Sequence, residues 1–315
     1  MNIEQFQFRE PPLALFLNRQ KVSLFRGITR KVSPIFFCGG DVMTTGPMVT
    51  GFHEPEVLHV LGFLSGAGFN QALVDVGANI GLMTYHSRDL FRSFHCYEPN
   101  PRIFHVLWAN LFGWDEQRLH LHNFGIGERD STAMLTIPLH NQGGAFITGD
   151  ANAYGEDILH DRKHSMGGVH RVEVAVRRGR DVFADLFRAM PAGGFVVKID
   201  TEGFERTVIA EMAAAMPGNA RIAIVFENLE PTLDPRAILA VQQGRSVRAL
   251  KLADNVSGSR PRIVKDLIKL TRGKIYRLTE RPGDWLGTVI LIVETALGVS
   301  VEPATGGLGQ PVPRA

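Results

Sequence analysis

From about residue 56 onward, short apolar runs alternate with longer amphipathic segments. Residues 73–76, 94–97, 119–122, 195–199 and 221–226 are short, apolar and bounded by turn residues, so they read as strands. Residues 56–67, 81–91, 102–111, 181–190, 204–216 and 235–243 carry apolar positions at helical spacing, the third of them opened by Pro101. Strands separated by helices need crossover connections, which predicts an α/β fold around a mostly parallel sheet. Residues 247–252, 274–278 and 288–293 read as strands that complete it.

Two regions depart from the rhythm. Residues 133–137 and 145–148 read as paired strands around Asn141-Gln142-Gly143-Gly144, a polar loop follows to about Gly168, and 172–176 is a further strand. This insertion, about 131–170, either shapes a substrate pocket or is a decorative hairpin. Residues 1–55 form an extension without clear alternation. There Leu13, Phe16, Leu17 and Leu24 fall near one helical face, with Arg19, Lys21 and Arg26 elsewhere. Such a helix packs on the core or lies on a membrane surface, and the sparse basic face favours packing. After Gly298 the chain is rich in Gly and Pro, which predicts a disordered tail over 298–315.

With 315 residues, 44% hydrophobic and 21% charged, the chain has ample material for a core. A net charge of +2 argues against wholesale binding to nucleic acid. The charge is uneven, however: Arg260, Arg262, Lys265, Lys269, Arg272, Lys274, Arg277 and Arg281 are opposed only by Asp266 and Glu280. That stretch is a solvated face, or one that attracts an anionic glycan, a phosphate-bearing carrier or a membrane. Cys38 and Cys96, far apart, exclude a disulfide scaffold and fit reduced thiols in the cytoplasm. Residues 1–10 have no signal-peptide profile, and apolar runs such as 289–293 are far too short to span a bilayer.

The chemistry centres on Asp75-Val76-Gly77-Ala78-Asn79-Ile80-Gly81, where an apolar strand ends and a helix begins. Glycine at 77 and 81 removes side chains where a ligand must come close, and Asn79 is placed to cap the next helix. A dinucleotide loop wants glycine where Asn79 stands, so pyrophosphate is disfavoured. Glu98, one strand–helix–strand step after Asp75, is placed to accept both hydroxyls of a ribose. Asp200 ends a later strand, where a carboxylate can orient a hydroxyl and take its proton. Lys198 projects to the same strand face as Asp200. Glu202 and Glu205 follow at a helix start, where negative charge is favoured in any case. Asp200 with Glu202 or Glu227 has the makings of a Mg²⁺ site, although no motif demands one. Among His140, His160, His164 and His170, the spacing of His160 and His164 invites a metal, but no third ligand is fixed and a polar loop is favoured.

Those residues carry a resemblance. The D-x-G-x-N-x-G turn is similar to the S-adenosylmethionine loop of Rossmann-like methyltransferases. With Cys96-Tyr97-Glu98-Pro99-Asn100 and Lys198-Ile199-Asp200-Thr201-Glu202-Gly203-Phe204-Glu205, roughly residues 56 to 230 resemble the FkbM family of methyltransferases. The resemblance implies one domain over 56–297, a mostly parallel seven-stranded sheet whose last strand, 288–293, is antiparallel, and helices on both faces. It implies S-adenosylmethionine held by Asp75, Gly77, Asn79, Gly81, Glu98, Asn123, Gly125 and Asp200. Asp75 would face the amino end of the methionine, Asn123-Phe124-Gly125 the adenine, and Asp200, Glu202 and Lys198 the methyl acceptor. That acceptor would be a hydroxyl of a sugar, glycan or secondary metabolite. Two rivals remain open: a nicotinamide-dependent sugar oxidoreductase, and a non-catalytic binding subunit retaining the fold.

Overall fold

The computed structural model describes residues 6–29, 47, 52–139, 142–147, 168–190, 193–228, 235–239, 245–256 and 261–295. Cys38, His140, Asn141, His160, His164, Arg260, the end of the expected helix 235–243 and the tail from 298 lie outside them.

A nine-stranded sheet runs in the order β1-β12-β11-β13-β10-β9-β2-β3-β4. In chain order its strands are β1 (Gln7–Glu10), β2 (Ala72–Val76), β3 (Ser93–Tyr97), β4 (Leu119–His122), β9 (Gly194–Ile199), β10 (Arg221–Asn228), β11 (Arg245–Asp254), β12 (Lys274–Thr279) and β13 (Gly287–Thr295). From β4 through β3, β2 and β9 to β10 all neighbours are parallel. From β10 through β13, β11 and β12 to β1 all are antiparallel. The sheet is therefore mixed, and larger than the expected seven strands with one antiparallel member. Gln7–Glu10 is too short and too polar to read as a strand, and becomes one only by pairing with Lys274–Arg277.

Helices cover both faces. They are α1 (Pro12–Thr29), α2 (Pro55–Gly66), α3 (Leu82–His86), α4 (Pro101–Asn110), α5 (Gly179–Ala189), α6 (Glu205–Ala215) and α7 (Arg262–Arg272). Strand alternation sends Val74, Val76, Val197 and Ile199 to one face, where Phe183, Leu186, Val208 and Met212 of α5 and α6 bury them. Leu73 and Val196 go to the other, against Val57, Val60, Leu61 and Leu64 of α2. Each such side chain contributes roughly 2 kcal/mol when fully buried, which holds the carboxyl ends of β2 and β9 rigidly in place. Among the described residues no helix is long and apolar enough to cross a membrane.

The insertion is a second sheet rather than a lone hairpin. It runs β5-β8-β6-β7, from β5 (Gly125–Gly127), β6 (Ser131–Pro138), β7 (Phe146–Ile147) and β8 (Val169–Arg178). Residues 134–137 pair with both β7 and β8 or with β8 alone, so the expected pairing of 133–137 with 145–148 is only the edge of the sheet.

At the β3–β4 edge a ring ladder forms. Parallel register sets His95 beside His120 and Tyr97 beside His122, with ring centroids 4.5 Å apart in both pairs. Burial pulls the His95 imidazole down to about 3, reinforced by His120 and His122, and pulls His122 down to about 4. Unfolded imidazoles take a proton near 6.5, so below that pH the unfolded chain binds protons the fold refuses. Stability is full above pH 6.5 and is lost as pH falls toward 3. In His95→Phe the acid-unfolding midpoint, followed by circular dichroism, is expected about half a pH unit or more lower. An unchanged midpoint would mean that the ring titrates freely.

Candidate functional site

A cleft of about 190 Å³ opens at the carboxyl ends of β2, β3 and β9. Gly77, Asn79, Glu98, Gly125, Asp200 and Glu202 line it together, with Glu227 at the end of β10. The turn is stitched to β3: Gly77 N and Ala78 N donate to Tyr97 O at 2.9 and 3.0 Å, and Asn79 N donates to Glu98 Oε2 at 3.0 Å. The other carboxylate oxygen of Glu98 accepts from Asn100 N at 2.8 Å. Burial pushes the Glu98 carboxyl up to about 7 against the pull of those two N–H groups. A carboxylate has about four acceptor positions, so two bonds leave it room to accept from a ligand.

The glycines answer to the protein first. Gly77 has φ +80°, and a Cβ there would lie 1.9 Å from the carbonyl oxygen of Asp200. Gly81 does not line the cleft; its Cβ would meet Leu107 Cδ1 at 2.6 Å, so it serves the packing of α4. Nor does Asn79 cap a helix. Its side chain accepts from Ile80 N, Gly81 is the N-cap without a side-chain bond, and the helix expected over 81–91 ends at His86.

Asp75 lies beneath the cleft rather than in its lining. Register puts it opposite Lys198, and period-two alternation sends both side chains to the face of Leu73 and Val196. Asp75 is fully buried; Thr84 Oγ1 donates to its Oδ2 at 2.9 Å, and Lys198 Nζ lies 3.3 Å from its Oδ1. The same ammonium donates to Asp200 Oδ2 at 3.2 Å. Burial alone would lower the Lys198 ammonium, but Asp75, Asp200 and Glu54 outweigh it and hold it well above the usual lysine range. Lys198 thus sits under the floor, joining Asp75 to Asp200. Asn123 is outside the lining too: its Nδ2 donates to Glu98 O at 2.8 Å, and its neighbours Phe124 and Gly125 line the cleft.

Glu205, at the first turn of α6, accepts from Thr201 N, Thr201 Oγ1 and Gly203 N at 2.9 to 3.2 Å. It shapes the loop that presents Asp200 and Glu202. Among the described residues no group of three or more His, Cys, Asp or Glu side chains is placed to hold a metal. The Mg²⁺ expectation therefore finds no support, and Lys198 already supplies the positive charge beside Asp200. His170, the described member of the four loop histidines, is exposed on β8.

Sequence reading missed His53 and Glu54, which sit at the assumed domain boundary and line the cleft. The Glu54-Pro55 step into a helix was the available signal, since proline favours the first helical position. Glu54 keeps 41% of its side chain exposed, yet removal from bulk water, and then the nearby Asp200, push its carboxyl up to about 7. Burial and then Lys198 lower the His53 imidazole. Glu54, Asn79 and Glu202 are the non-glycine residues of positive φ among the described ones, and all three line the cleft. Such backbone strain collects at functional sites. Glu54, Glu98, Asp200, Glu202 and Glu227 make the lining acidic, and among the described residues it has no Lys or Arg. Val76, Pro99, Ile103, Phe124, Leu135 and Ile147 give it apolar walls.

No protein-family model matches the chain, and no curated protein matches it. Among solved structures it is similar to a precorrin-6y C5,15-methyltransferase from Geobacter metallireducens GS-15 (12% identity, 76% of this chain and 89% of that one, TM-score 0.34). It is similar also to a precorrin 8W decarboxylase from Methanobacterium thermoautotrophicum (14% identity, 80% and 95%, TM-score 0.34). A third is M. jannaschii TYW2 in complex with AdoMet (12% identity, 76% and 75%, TM-score 0.37). At these TM-scores the likeness carries no argument about activity.

Proposed function

We propose that the protein is an S-adenosylmethionine-dependent methyltransferase of the Rossmann-like kind that methylates a hydroxyl, with a sugar, glycan or secondary metabolite as acceptor. The observation that carries the proposal is an acidic cleft, without Lys or Arg among the described residues, at the carboxyl ends of parallel strands. Pyrophosphate would bring negative charge into a lining with five acidic side chains and no Lys or Arg among the described residues, whereas a sulfonium nucleoside brings positive charge. The same lining favours a neutral acceptor over an anionic one.

Glu98 would hold the ribose hydroxyls, with Gly77 and Asn79 close by. Pro99, Ile103 and Phe124 would flank the base, and Gly125 leaves space beside them. S-adenosylmethionine supplies a methyl group on a sulfonium, a good leaving group. The chain must then exclude water, align the acceptor and relieve it of its proton. Asp200 and Glu202 would orient the hydroxyl. Glu54, pushed toward neutrality, is the better proton acceptor, because Asp200 is already paired with Lys198. Lys198 is a positioning residue, and so is Asp75 beneath it.

Calorimetry with S-adenosylhomocysteine tests the reading. Ribose binding needs the Glu98 carboxylate, and in the free protein that group is half protonated near pH 7. Affinity should be flat above pH 7 and fall about tenfold per unit below it. Glu98→Gln should bind about 100-fold more weakly, with the pH dependence removed. Binding of NAD with none of S-adenosylhomocysteine would overturn the proposal in favour of the oxidoreductase.

A further inference from the structure

α1 and α7 pack together at the β1–β12 edge of the large sheet, away from the strands that carry the cleft. On α1, Leu13, Phe16, Leu17 and Leu24 recur at the spacing of one helical stripe. The extension joins the main body through β1, Phe6 and the contact of α1 with α7, but the stripe takes no part: all four side chains are turned outward, Leu13 and Leu24 each 63% exposed. Between residues 12 and 24 none is fully buried. On α7, Val264, Leu267 and Leu270 are exposed as well.

Charge distinguishes this face further. α1 carries Arg19, Lys21 and Arg26 and no acid; α7 carries Arg262, Lys265, Lys269 and Arg272 with Asp266 as its single acid. The two helices thus hold a surplus of six positive charges in a chain whose net charge is +2. Asp266, already counted in that surplus, lies 3.6 Å from Arg19 across the helix pair and 3.9 Å from Lys269, so it links the helices.

We propose that this face docks on an anionic lipid surface. The apolar stripes would enter the boundary between headgroups and acyl chains, and the lysines and arginines would meet the headgroups. Two amphipathic helices with large apolar side chains outward and cations beside them match that medium in both respects. A second copy of the chain would set like charges against each other. Nucleic acid would find mostly aliphatic side chains, with Phe16 the one aromatic among the described exposed side chains of the two helices, where stacking platforms are needed. The proposal stands on this surface alone and is independent of what the cleft binds.

Flotation of the full chain with vesicles tests it, comparing pure phosphatidylcholine with an equal mixture of phosphatidylcholine and phosphatidylglycerol. The bound fraction is expected to be at least about tenfold greater on the anionic vesicles and to drop severalfold in high salt. Leu17→Ser with Leu267→Ser, and separately Lys21→Glu with Lys265→Glu, should abolish flotation while thermal unfolding stays that of the parent. Equal binding to both vesicle types, no binding to either, or variants that float like the parent would overturn the proposal. So would a dimer in sedimentation that only the leucine pair disrupts and vesicles do not compete with.

Discussion

Gly77→Ala is expected to lose about 3 kcal/mol or more of folding stability, and measurable binding of S-adenosylhomocysteine with it. Part of the loss is local: at φ +80° a Cβ crowds its own backbone, which costs roughly 1–2 kcal/mol. The larger part is the contact. The new methyl would sit 1.9 Å from the carbonyl oxygen of Asp200, a backbone atom fixed by Asp200 N donating to Val76 O at 2.9 Å. No rotamer change relieves that overlap, so β2 and β9 must separate at the point where the cleft is built. Gly81→Ala is the control, because its methyl would meet the tip of Leu107, at 2.6 Å, and a leucine tip can turn away. Urea unfolding of the two variants checks the argument. Equal midpoints for both would refute the claim that the Asp200 carbonyl sets the requirement at 77.

Lys198→Met is expected to destabilise the fold by roughly 3–5 kcal/mol, because it leaves a buried carboxylate without its cation. Asp75 has Thr84 and Lys198 as its polar neighbours at 2.9 and 3.3 Å, and it is wholly shielded from water. Methionine fills the space of the lysine stem but cannot answer the charge. Asp75→Asn combined with Lys198→Met should therefore be more stable than Lys198→Met alone, a non-additivity that a merely space-filling lysine would not give. Asp200, 40% exposed, is solvated once the lysine is gone and contributes little to the penalty. If the double variant were no more stable than Lys198→Met, the ion pair would not be the source of the loss.

Strands β2, β3, β4, β9 and β10 and the helices between them were legible because apolar runs and helical stripes are local patterns, each written within a dozen residues. The acids that follow β3 and β9 are legible for the same reason, and Glu98 and Asp200 lie in one cleft. Asp75 also looked like a ligand-facing acid. Whether a side chain at a strand end points into the cleft or under it depends on the register with the neighbouring strand, and that register joins Asp75 to Lys198. What Gly81 makes room for, here Leu107, is likewise a fact about a distant helix; Asn79 lines the cleft, and only the cap expected of it is not formed.

His53 and Glu54 fall on the far side of the expected boundary, since no periodic pattern runs through the residues just before α2. Only the folded chain brings them to Asp200, nearly 150 positions further on, by laying α2 over the sheet.

The amino-acid order by itself determined the α/β class, the strands that bear the cleft and the acids at their ends, because hydrophobic periodicity and strand termini are decided by neighbours along the chain. Tertiary structure alone decided that the sheet is mixed and has nine strands, that Lys198 is shared between Asp75 and Asp200, and that the α1 stripe faces outward. Each of those depends on which segments meet across space. A local pattern says that a face is apolar, and the partner it finds, or does not find, is settled only when the whole chain packs.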